Sequence, residues 1–211
     1  LRTYDGTLIL RGVAFRSSRA EPFGERFLRQ ALGCLLTGNI PGVRDAYVSA
    51  VMALRRREVP TAEVTAQVRL TKSPEQYLAT RARRRELSYE AMLASGRDQW
   101  AVGEHVRIYR AVRGQARLLP TLGDDDDSTP SESTPTGSES DPRDYDADYY
   151  ARMVRETFAA RMVRALTPGD FAAVFADPGQ PSLFAPSLTQ IRPILTPMSQ
   201  PDVSSRAGEQ P

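Results

Sequence analysis

The chain has 211 residues, of which 40% are hydrophobic and 26% are charged, a composition typical of an ordinary folded domain. It contains no apolar run of 18 or more residues, which argues against a membrane-spanning helix, and its single cysteine, Cys34, excludes an internal disulfide. A lone cysteine is typical of a reducing cytoplasm. Because the chain begins at Leu1 and shows no signal peptide, we expect a fragment, or the matured end, of a longer polypeptide, located in the cytoplasm.

The net charge of +2 conceals an uneven distribution along the chain. Residues 1–120 carry 21 basic and 11 acidic side chains, whereas residues 121–148 carry one basic and 10 acidic side chains. Of the 28 basic side chains only one, Lys72, is a lysine. A coding bias towards arginine would explain the choice of base, but it would not explain the excess of bases over acids. The first 120 residues therefore indicate a polyanion or another acidic partner.

The first third of the chain is predicted to contain a hairpin followed by two helices. Asp5-Gly6 lies between two β-prone runs, which is the strongest short hairpin signal. Pro22 in a first turn and Gly38 beyond a last turn bound an apolar stripe with helical spacing. The predicted elements are a β-hairpin over residues 1–15, a polar turn over 16–19, a helix over 21–36, a turn over 39–42 and a helix over 43–57.

The middle third is predicted to mix short helices and strands. Ser73, Pro74 and Gln76 have the spacing of a helix start, with a capping serine, a proline at the first position and a glutamine three residues after the cap. The predicted elements are an extended or helical stretch over residues 64–70, a helix that begins after Ser73, a short helix over 87–95 and a strand over 100–112.

Acidic and polar residues separate the middle of the chain from its last third. Residues 121–144 are predicted to be a disordered acidic insertion, because Asp, Ser, Thr, Pro and Glu cannot bury a core. Apolar residues at a spacing of four then predict one continuous helix over residues 145–166. The predicted fold class is mostly α with a small β component (α+β). Its predicted segments are residues 1–15, a basic body over 16–120, the insertion over 121–144, helices over 145–176 and a flexible proline-rich tail over 177–211.

The sequence offers no set of residues for catalysis or metal binding. A zinc site needs three or four ligands, but the only histidine, His105, is 71 positions from the only cysteine. No nucleophile signature and no glycine-rich phosphate loop occurs. The tetra-aspartate run at residues 124–127 is more typical of a solvated linker than of a cation site. We therefore expect that this chain alone is not a catalyst and holds no cofactor.

Three segments resemble the thumb of family B DNA polymerases of the bacterial type. Residues 4–19 resemble the exit from the palm, residues 70–77 resemble a thumb motif in which a lysine precedes Glu and Tyr, and residues 102–109 resemble a later strand that ends in Tyr. They occur in the family's order, and the resemblance covers residues 1–184 apart from the insertion. It implies a palm-exit hairpin and a helical thumb that holds double-stranded primer–template DNA during template-directed synthesis. It also implies that the catalytic aspartates and their Mg²⁺ lie upstream, outside this chain.

The resemblance assigns phosphate contacts to basic and hydroxyl side chains, because a thumb must grip duplex without reading its bases. The expected DNA-binding residues are Arg16, Ser17, Ser18, Arg19, Arg69, Lys72, Tyr77 and Arg84. The position of Lys72, just before a helix N-terminus, favours a phosphate over a purely structural cation. Tyr77 has an equal alternative as a core residue. Arg84 belongs to a cluster that has an equal alternative as a solvated loop, and residues 16–19 have the alternative of a solvated turn.

Gln180-Pro181-Ser182-Leu183-Phe184 resembles the pentapeptide by which bacterial proteins bind the sliding clamp. In such a peptide the glutamine makes hydrogen bonds while the leucine and phenylalanine fill an apolar pocket. The resemblance therefore implies a sliding clamp as a second partner, held by Gln180, Leu183 and Phe184. The alternative is a Leu-Phe pair that packs on the thumb itself.

A different class of function is an arginine-rich helical adaptor without enzymatic activity. It would bind an acidic protein, or its own residues 121–148 in cis, and it predicts that removal of the insertion alters folding or partner binding rather than DNA affinity. An independent enzyme is the least favoured hypothesis, because no catalytic constellation exists. The polymerase hypothesis places the protein in the cytoplasm, in association with the nucleoid.

Overall fold

The computed structural model describes residues 21–119, 141–180 and 187–195, so the predicted palm-exit hairpin lies outside the described residues. Helices predominate in the described part, and three short strands form one sheet. This confirms the predicted class, mostly α with a small β component. The main elements are α1 (Pro22–Leu35), α2 (Ile40–Arg55), β1 (Ala66–Arg69), α3 (Pro74–Arg81), α4 (Leu87–Ala94), β2 (His105–Arg110), β3 (Ala116–Leu118), α5 (Ala147–Met153) and α6 (Pro168–Val174).

Helices α1 and α2 pack on each other and form part of the larger of two apolar cores. Helix α1 buries the face formed by Phe23, Phe27, Leu28, Ala31, Leu32 and Leu35, as its apolar spacing predicts. Helix α2 begins at Ile40, so the prediction of a turn over residues 39–42 is wrong. The Asn39 side chain accepts a hydrogen bond from the Gly42 N–H at 3.0 Å, which makes Asn39 an N-cap.

The single helix predicted over residues 145–166 is instead three successive segments with different helical geometry. Helix α5 passes into a π-helical turn (Val154–Phe158) and then into a 3-10 segment (Ala159–Ala165). The Phe158 ring is 1% exposed and occupies the place where a Cβ on Gly24 would lie, with ring atoms 1.9 to 2.4 Å from that position. A glycine in α1 therefore allows the close approach of this ring, which a regular helical pattern does not reveal.

The sheet is antiparallel with the order β1-β2-β3, and it separates the two cores. Val106 and Ile108 of β2 belong to the smaller core with α3 and α4, whereas Tyr109 belongs to the larger core. This alternation follows from the period of two along a strand. The predicted strand over residues 100–112 was too long, because Val102 and Val112 are exposed outside β2.

We call residues 66–119 the second lobe and the other described residues the first lobe. The smaller core, which lies in the second lobe, contains Leu70, Tyr77, Tyr89, Ala91, Met92, Trp100, Val106 and Ile108. It is rich in aromatic side chains: Tyr77 and Tyr89 stack with ring centroids 4.5 Å apart, and Trp100 lies 5.5 Å from Tyr89. These aromatic contacts form the centre of a small lobe.

Two predicted segment boundaries need correction. Asp141 and Asp144, assigned to the end of the acidic insertion, accept hydrogen bonds from Thr61 and Tyr109, so the packed chain resumes by residue 141. Residue 177 was assigned to the tail, but Asp177 pairs with Arg55, and Ile191 is buried in the larger core. The physical reason is that the carboxylates of Asp141, Asp144 and Asp177 and the side chain of Ile191 contact residues that lie far away in the sequence.

Candidate nucleic-acid interface

The residues expected to bind DNA divide between the described and the undescribed parts of the chain. Arg16, Ser17, Ser18 and Arg19 lie outside the described residues. The structure brings Lys72, Tyr77 and Arg84 to one end of the second lobe, around the start of α3 and the connection from α3 to α4. Arg69 lies at the end of β1, exposed beside Gly103.

Tyr77 is a core residue, the alternative that the sequence left open. Its side chain is 0% exposed, so its ring is not available to a nucleic acid in this conformation. Its hydroxyl donates to Glu90 Oε1 at 2.6 Å and accepts from the Glu86 N–H at 3.3 Å. Burial raises the pKa of Tyr77, and the hydrogen bond to the Glu90 carboxylate raises it further. Tyr77 therefore holds the connection between α3 and α4 in place.

Two buried aromatic side chains fix the backbone at Lys72. The Tyr89 hydroxyl accepts hydrogen bonds from the backbone N–H groups of Thr71 and Lys72, both at 2.9 Å. The Trp100 Nε1–H donates to the Lys72 carbonyl at 2.9 Å. The next residue, Ser73, forms the predicted capping box with Gln76, in which each side chain bonds the other's backbone N–H. The backbone before α3 is therefore preorganised.

The Lys72 ammonium is engaged in an ion pair. Its Nζ donates to Glu86 Oε1 at 2.6 Å, with 31% of the lysine side chain and 27% of the glutamate side chain exposed. The sequence predicted that the Lys72 ammonium, just before α3, is available to bind a phosphate. The structure instead gives that cation an acidic neighbour just before α4, a pairing across 14 residues that sequence spacing does not predict.

Residues 83–85 are three consecutive arginines in the connection between α3 and α4, and we call them the arginine turn. All three are exposed, and none forms an ion pair with a residue that the structure describes. The turn is held on both sides, by Arg81 with Glu90 before it and by Lys72 with Glu86 after it. Three guanidinium groups are therefore presented to solvent from a fixed base.

Arg81 differs from the arginine turn because it makes a bidentate pair. Its Nε and Nη2 donate to Glu90 Oε1 and Oε2 at 2.7 and 2.9 Å, the fork geometry that arginine favours. The hydrogen bonds from Arg81, followed by the one from the Tyr77 hydroxyl, lower the pKa of Glu90 to about 2. Arg81 is thus a structural member of its predicted cluster, and residues 83–85 are the members available to a ligand.

Three arginines of β2 and β3 serve the fold. Arg107 donates to the Ala62 carbonyl at 2.9 Å and to Thr65 Oγ1 at 3.0 Å. Arg110 lies 3.2 Å from Asp146 and 4.5 Å from the centre of the Tyr149 ring. Arg117 pairs with Asp144. Sequence analysis missed these pairings, which join residues tens of positions apart, and a positive charge count alone gives no signal for them.

Other candidate residues are separate from the arginine turn. Gln180 is exposed and its N–H donates to the Asp177 carbonyl at 3.0 Å, while Leu183 and Phe184 lie outside the described residues. Within residues 21–119, 141–180 and 187–195, no group of three or more His, Cys, Asp and Glu side chains is placed to hold a metal ion. Among the helices of the same residues, none has the length and apolar character to cross a membrane.

Neither a known protein family nor a curated protein sequence matches this chain. The resemblance to family B polymerases therefore remains a prediction carried by three sequence segments. What the structure adds is a mostly α protein with a basic turn on a lobe that has an aromatic core.

Proposed function

We propose that this chain is the thumb of a family B DNA polymerase and that it holds primer–template duplex by sequence-independent contacts to the phosphate backbone. The arginine turn is the observation that carries the proposal. Its three side chains are exposed, they have no acidic partner among the described residues, and their base is fixed by two ion pairs. Exposed guanidinium groups favour phosphate because their donors match its oxygens in a bidentate fashion.

The physical demands on a thumb agree with this surface. Duplex DNA carries one negative charge per ~1.7 Å of its axis, so a short basic turn reaches several phosphates without reading a base. Arg69, exposed in the same lobe, is a further phosphate contact in this proposal. Template-directed synthesis itself would use aspartates and Mg²⁺ upstream of this chain. Gln180, with Leu183 and Phe184, would tether the polymerase to a sliding clamp, and the protein would act at the nucleoid in the cytoplasm.

Duplex binding by the 211-residue chain tests the proposal. Fluorescence anisotropy with a labelled primer–template would be measured over a series of salt concentrations and with two unrelated sequences. We expect equal affinity for both sequences and a log–log salt slope that reflects several phosphate contacts. Replacing residues 83–85 by glutamine should reduce the slope by about 2 to 3, since each lost phosphate contact removes about 0.9.

A matched control removes the same charge from the first lobe. Arg152, Arg155 and Arg164 are also exposed and without an ion pair among the described residues, so their triple glutamine variant has the same net charge as the test variant. We expect it to retain most of the wild-type slope. Absence of duplex binding by the wild-type chain at low salt would reject the proposal, and equal losses in both triple variants would reject the arginine turn as its site.

A specific observation favours the adaptor as a second candidate function. Asp144 and Asp146, which belong to the acidic stretch 121–148, pair with Arg117 and Arg110 of the sheet. The basic body thus binds carboxylates of its own chain. A variant that lacks residues 121–140 and a synthetic peptide of the same residues separate the two functions. Peptide binding by the shortened chain, with DNA binding absent in both chains, would favour the adaptor.

A further inference from the structure

The only lysine of the chain lies beside the arginine turn, but its charge is engaged. Glu86, which holds its ammonium at 2.6 Å, directly follows residue 85, so the carboxylate lies at the edge of the turn. A phosphate bound to the arginine turn would therefore approach both partners of this ion pair. It would be attracted by Lys72 and repelled by Glu86.

The carboxylate of Glu86 has no other structural task among the described residues. Glu86 occupies the N-cap position of α4, yet its side chain makes no capping hydrogen bond. Its backbone N–H is held instead by the Tyr77 hydroxyl. The side chain is thus free to serve Lys72, whose own backbone is fixed by Tyr89 and Trp100. Two rigid backbone positions therefore present one ion pair to solvent.

The Lys72–Glu86 pair makes fewer hydrogen bonds than the neighbouring Arg81–Glu90 pair. Arg81 grips Glu90 with two parallel hydrogen bonds, whereas Lys72 makes a single contact to one oxygen of Glu86. A partly exposed pair of this kind is weak, and lysine's flexible stem and rotatable donors allow its ammonium to change partner. An arginine at position 72 would have the planar fork that locks a carboxylate. Lysine lacks this fork, which suits an exchange of partners at position 72.

We propose that Glu86 restrains Lys72 and thereby sets how strongly the second lobe holds a polyanion. The inference rests on the proposed function, and it adds the regulation of the same site. Without a ligand, Lys72 is held by Glu86. When a phosphate chain occupies the arginine turn, the ammonium leaves the carboxylate for a phosphate oxygen, and Glu86 opposes the complex. Glu86 is a positioning residue that acts through Lys72. Lys72 contacts a phosphate only when the polyanion is bound to the arginine turn.

A double-mutant cycle in the 211-residue chain tests this. The variants are Glu86→Gln, Lys72→Gln and the double variant, with anisotropy on a labelled duplex between about 50 and 300 mM salt. Glu86→Gln should tighten binding about 3- to 10-fold, since it frees Lys72 and removes a repulsive charge. Lys72→Gln should weaken binding and reduce the salt slope by about 1. In the Lys72→Gln background, Glu86→Gln should have less than about half of its effect in the log of the affinity.

Two controls separate a specific restraint from general electrostatics. Glu75→Gln removes a charge from the same lobe, but Glu75 is bonded to the Ser73 hydroxyl and to no cation among the described residues, so we expect a smaller change than for Glu86→Gln. Glu86→Asp retains the carboxylate and should restore near wild-type affinity. Circular dichroism melts of every variant establish whether the fold is intact.

The outcomes distinguish the two proposals. If the wild-type chain does not bind duplex at low salt, the proposed function fails and this inference fails with it. If the wild type binds but Glu86→Gln has no more effect than Glu75→Gln, or acts equally with and without Lys72, only the restraint by Glu86 is overturned. A salt slope unchanged by Lys72→Gln would likewise overturn the bound-state contact of Lys72 and leave the arginine turn as the binding site.

Discussion

Both lobes use arginine to hold the fold, but the second lobe also presents three consecutive arginines from one exposed turn. In the first lobe, Arg44 donates to the carbonyls of Val174 and Ala176 around the C-terminal end of α6, and Arg55 makes a bidentate pair with Asp177. In the second lobe, the arginine turn has no such partner among the described residues. The comparison teaches that arginine content does not define an interface. An arginine becomes available to a ligand where the fold offers it no carboxylate or carbonyl.

The lobes also differ in what holds them together. The first lobe relies on apolar shape, with the Phe158 ring set against Gly24. The second lobe relies on hydroxyl and indole groups of buried aromatic side chains, which bond the backbone at Thr71 and Lys72. We therefore expect the first lobe to be sensitive to changes of side-chain volume, and the second to the loss of single polar atoms.

The largest effect should come from Phe158→Ala in the first lobe. It removes a fully buried ring that packs edge-to-face on Phe23 with centroids 5.8 Å apart. We expect a loss of about 3–5 kcal/mol in the free energy of unfolding, from lost burial and the cavity left behind. Urea denaturation followed by circular dichroism measures it. Phe171→Ala is the matched control, because Phe171 is only partly buried, and equal losses would contradict a core built around Phe158.

In the second lobe, removal of the Tyr89 hydroxyl oxygen alone should destabilise the fold. Tyr89→Phe retains the stacked ring but removes the acceptor of two backbone N–H groups. We expect a loss of about 1–3 kcal/mol, because both donors lie in a partly buried loop. Amide hydrogen exchange at Thr71 and Lys72 should accelerate. Tyr149→Phe serves as the control, since the Tyr149 hydroxyl has no hydrogen bond to the described residues. Similar exchange in both variants would count against the aromatic frame.

Two glycines of α1 test how strongly the first lobe depends on side-chain shape. A Cβ on Gly24 would overlap the Phe158 ring, whereas a Cβ on Gly33 would meet nothing within 4 Å. Gly24→Ala should therefore destabilise the protein by about 1–3 kcal/mol, the range for overpacking. Gly33→Ala should stabilise it by about 0.5–1 kcal/mol, because alanine favours the helix. Thermal denaturation of the two variants gives both signs, and stabilisation by Gly24→Ala would disprove the close approach.

Local signals in the sequence predicted local structure. The capping box at Ser73 and Gln76 and the apolar stripe of α1 were predicted because each depends on residues within one or two turns. The π-helical turn (Val154–Phe158) was not, and the Phe158 ring at its end packs against Gly24, far away in the chain. Of the expected binding residues, Lys72 and Arg84 lie at one surface, and the burial of Tyr77 was one of the two alternatives for that residue. The ion pair of Lys72 was not predicted, because its partner Glu86 lies 14 residues away.

Acid should weaken both lobes, with the smallest of the expected effects. Hydrogen bonds from Arg81 lower the pKa of Glu90 to about 2, and those from Arg55 lower the pKa of Asp177 to about 2. The ordinary pKa values of these carboxyls are 4.5 and 3.8, so the unfolded chain binds more protons than the folded one in the interval below them. Each pair therefore stabilises the fold fully above the unfolded pKa and loses that contribution as the pH falls to about 2.

The two pairs are distinguished by the pH at which the loss begins. Glu90→Gln should lower stability at neutral pH and flatten the decline that begins near pH 4.5, whereas Asp177→Asn should flatten only the part below about pH 3.8. The effects are small because both pairs are partly exposed, with 26% of the Glu90 side chain and 42% of the Asp177 side chain accessible, and solvent screens them. Urea unfolding between about pH 6 and pH 2.5 measures the slopes. If the stability of the Glu90→Gln variant still declined near pH 4.5 as in the wild type, the Arg81–Glu90 pair would not be a support of the arginine turn. The difference between the lobes would then lie in hydroxyl groups and packing alone.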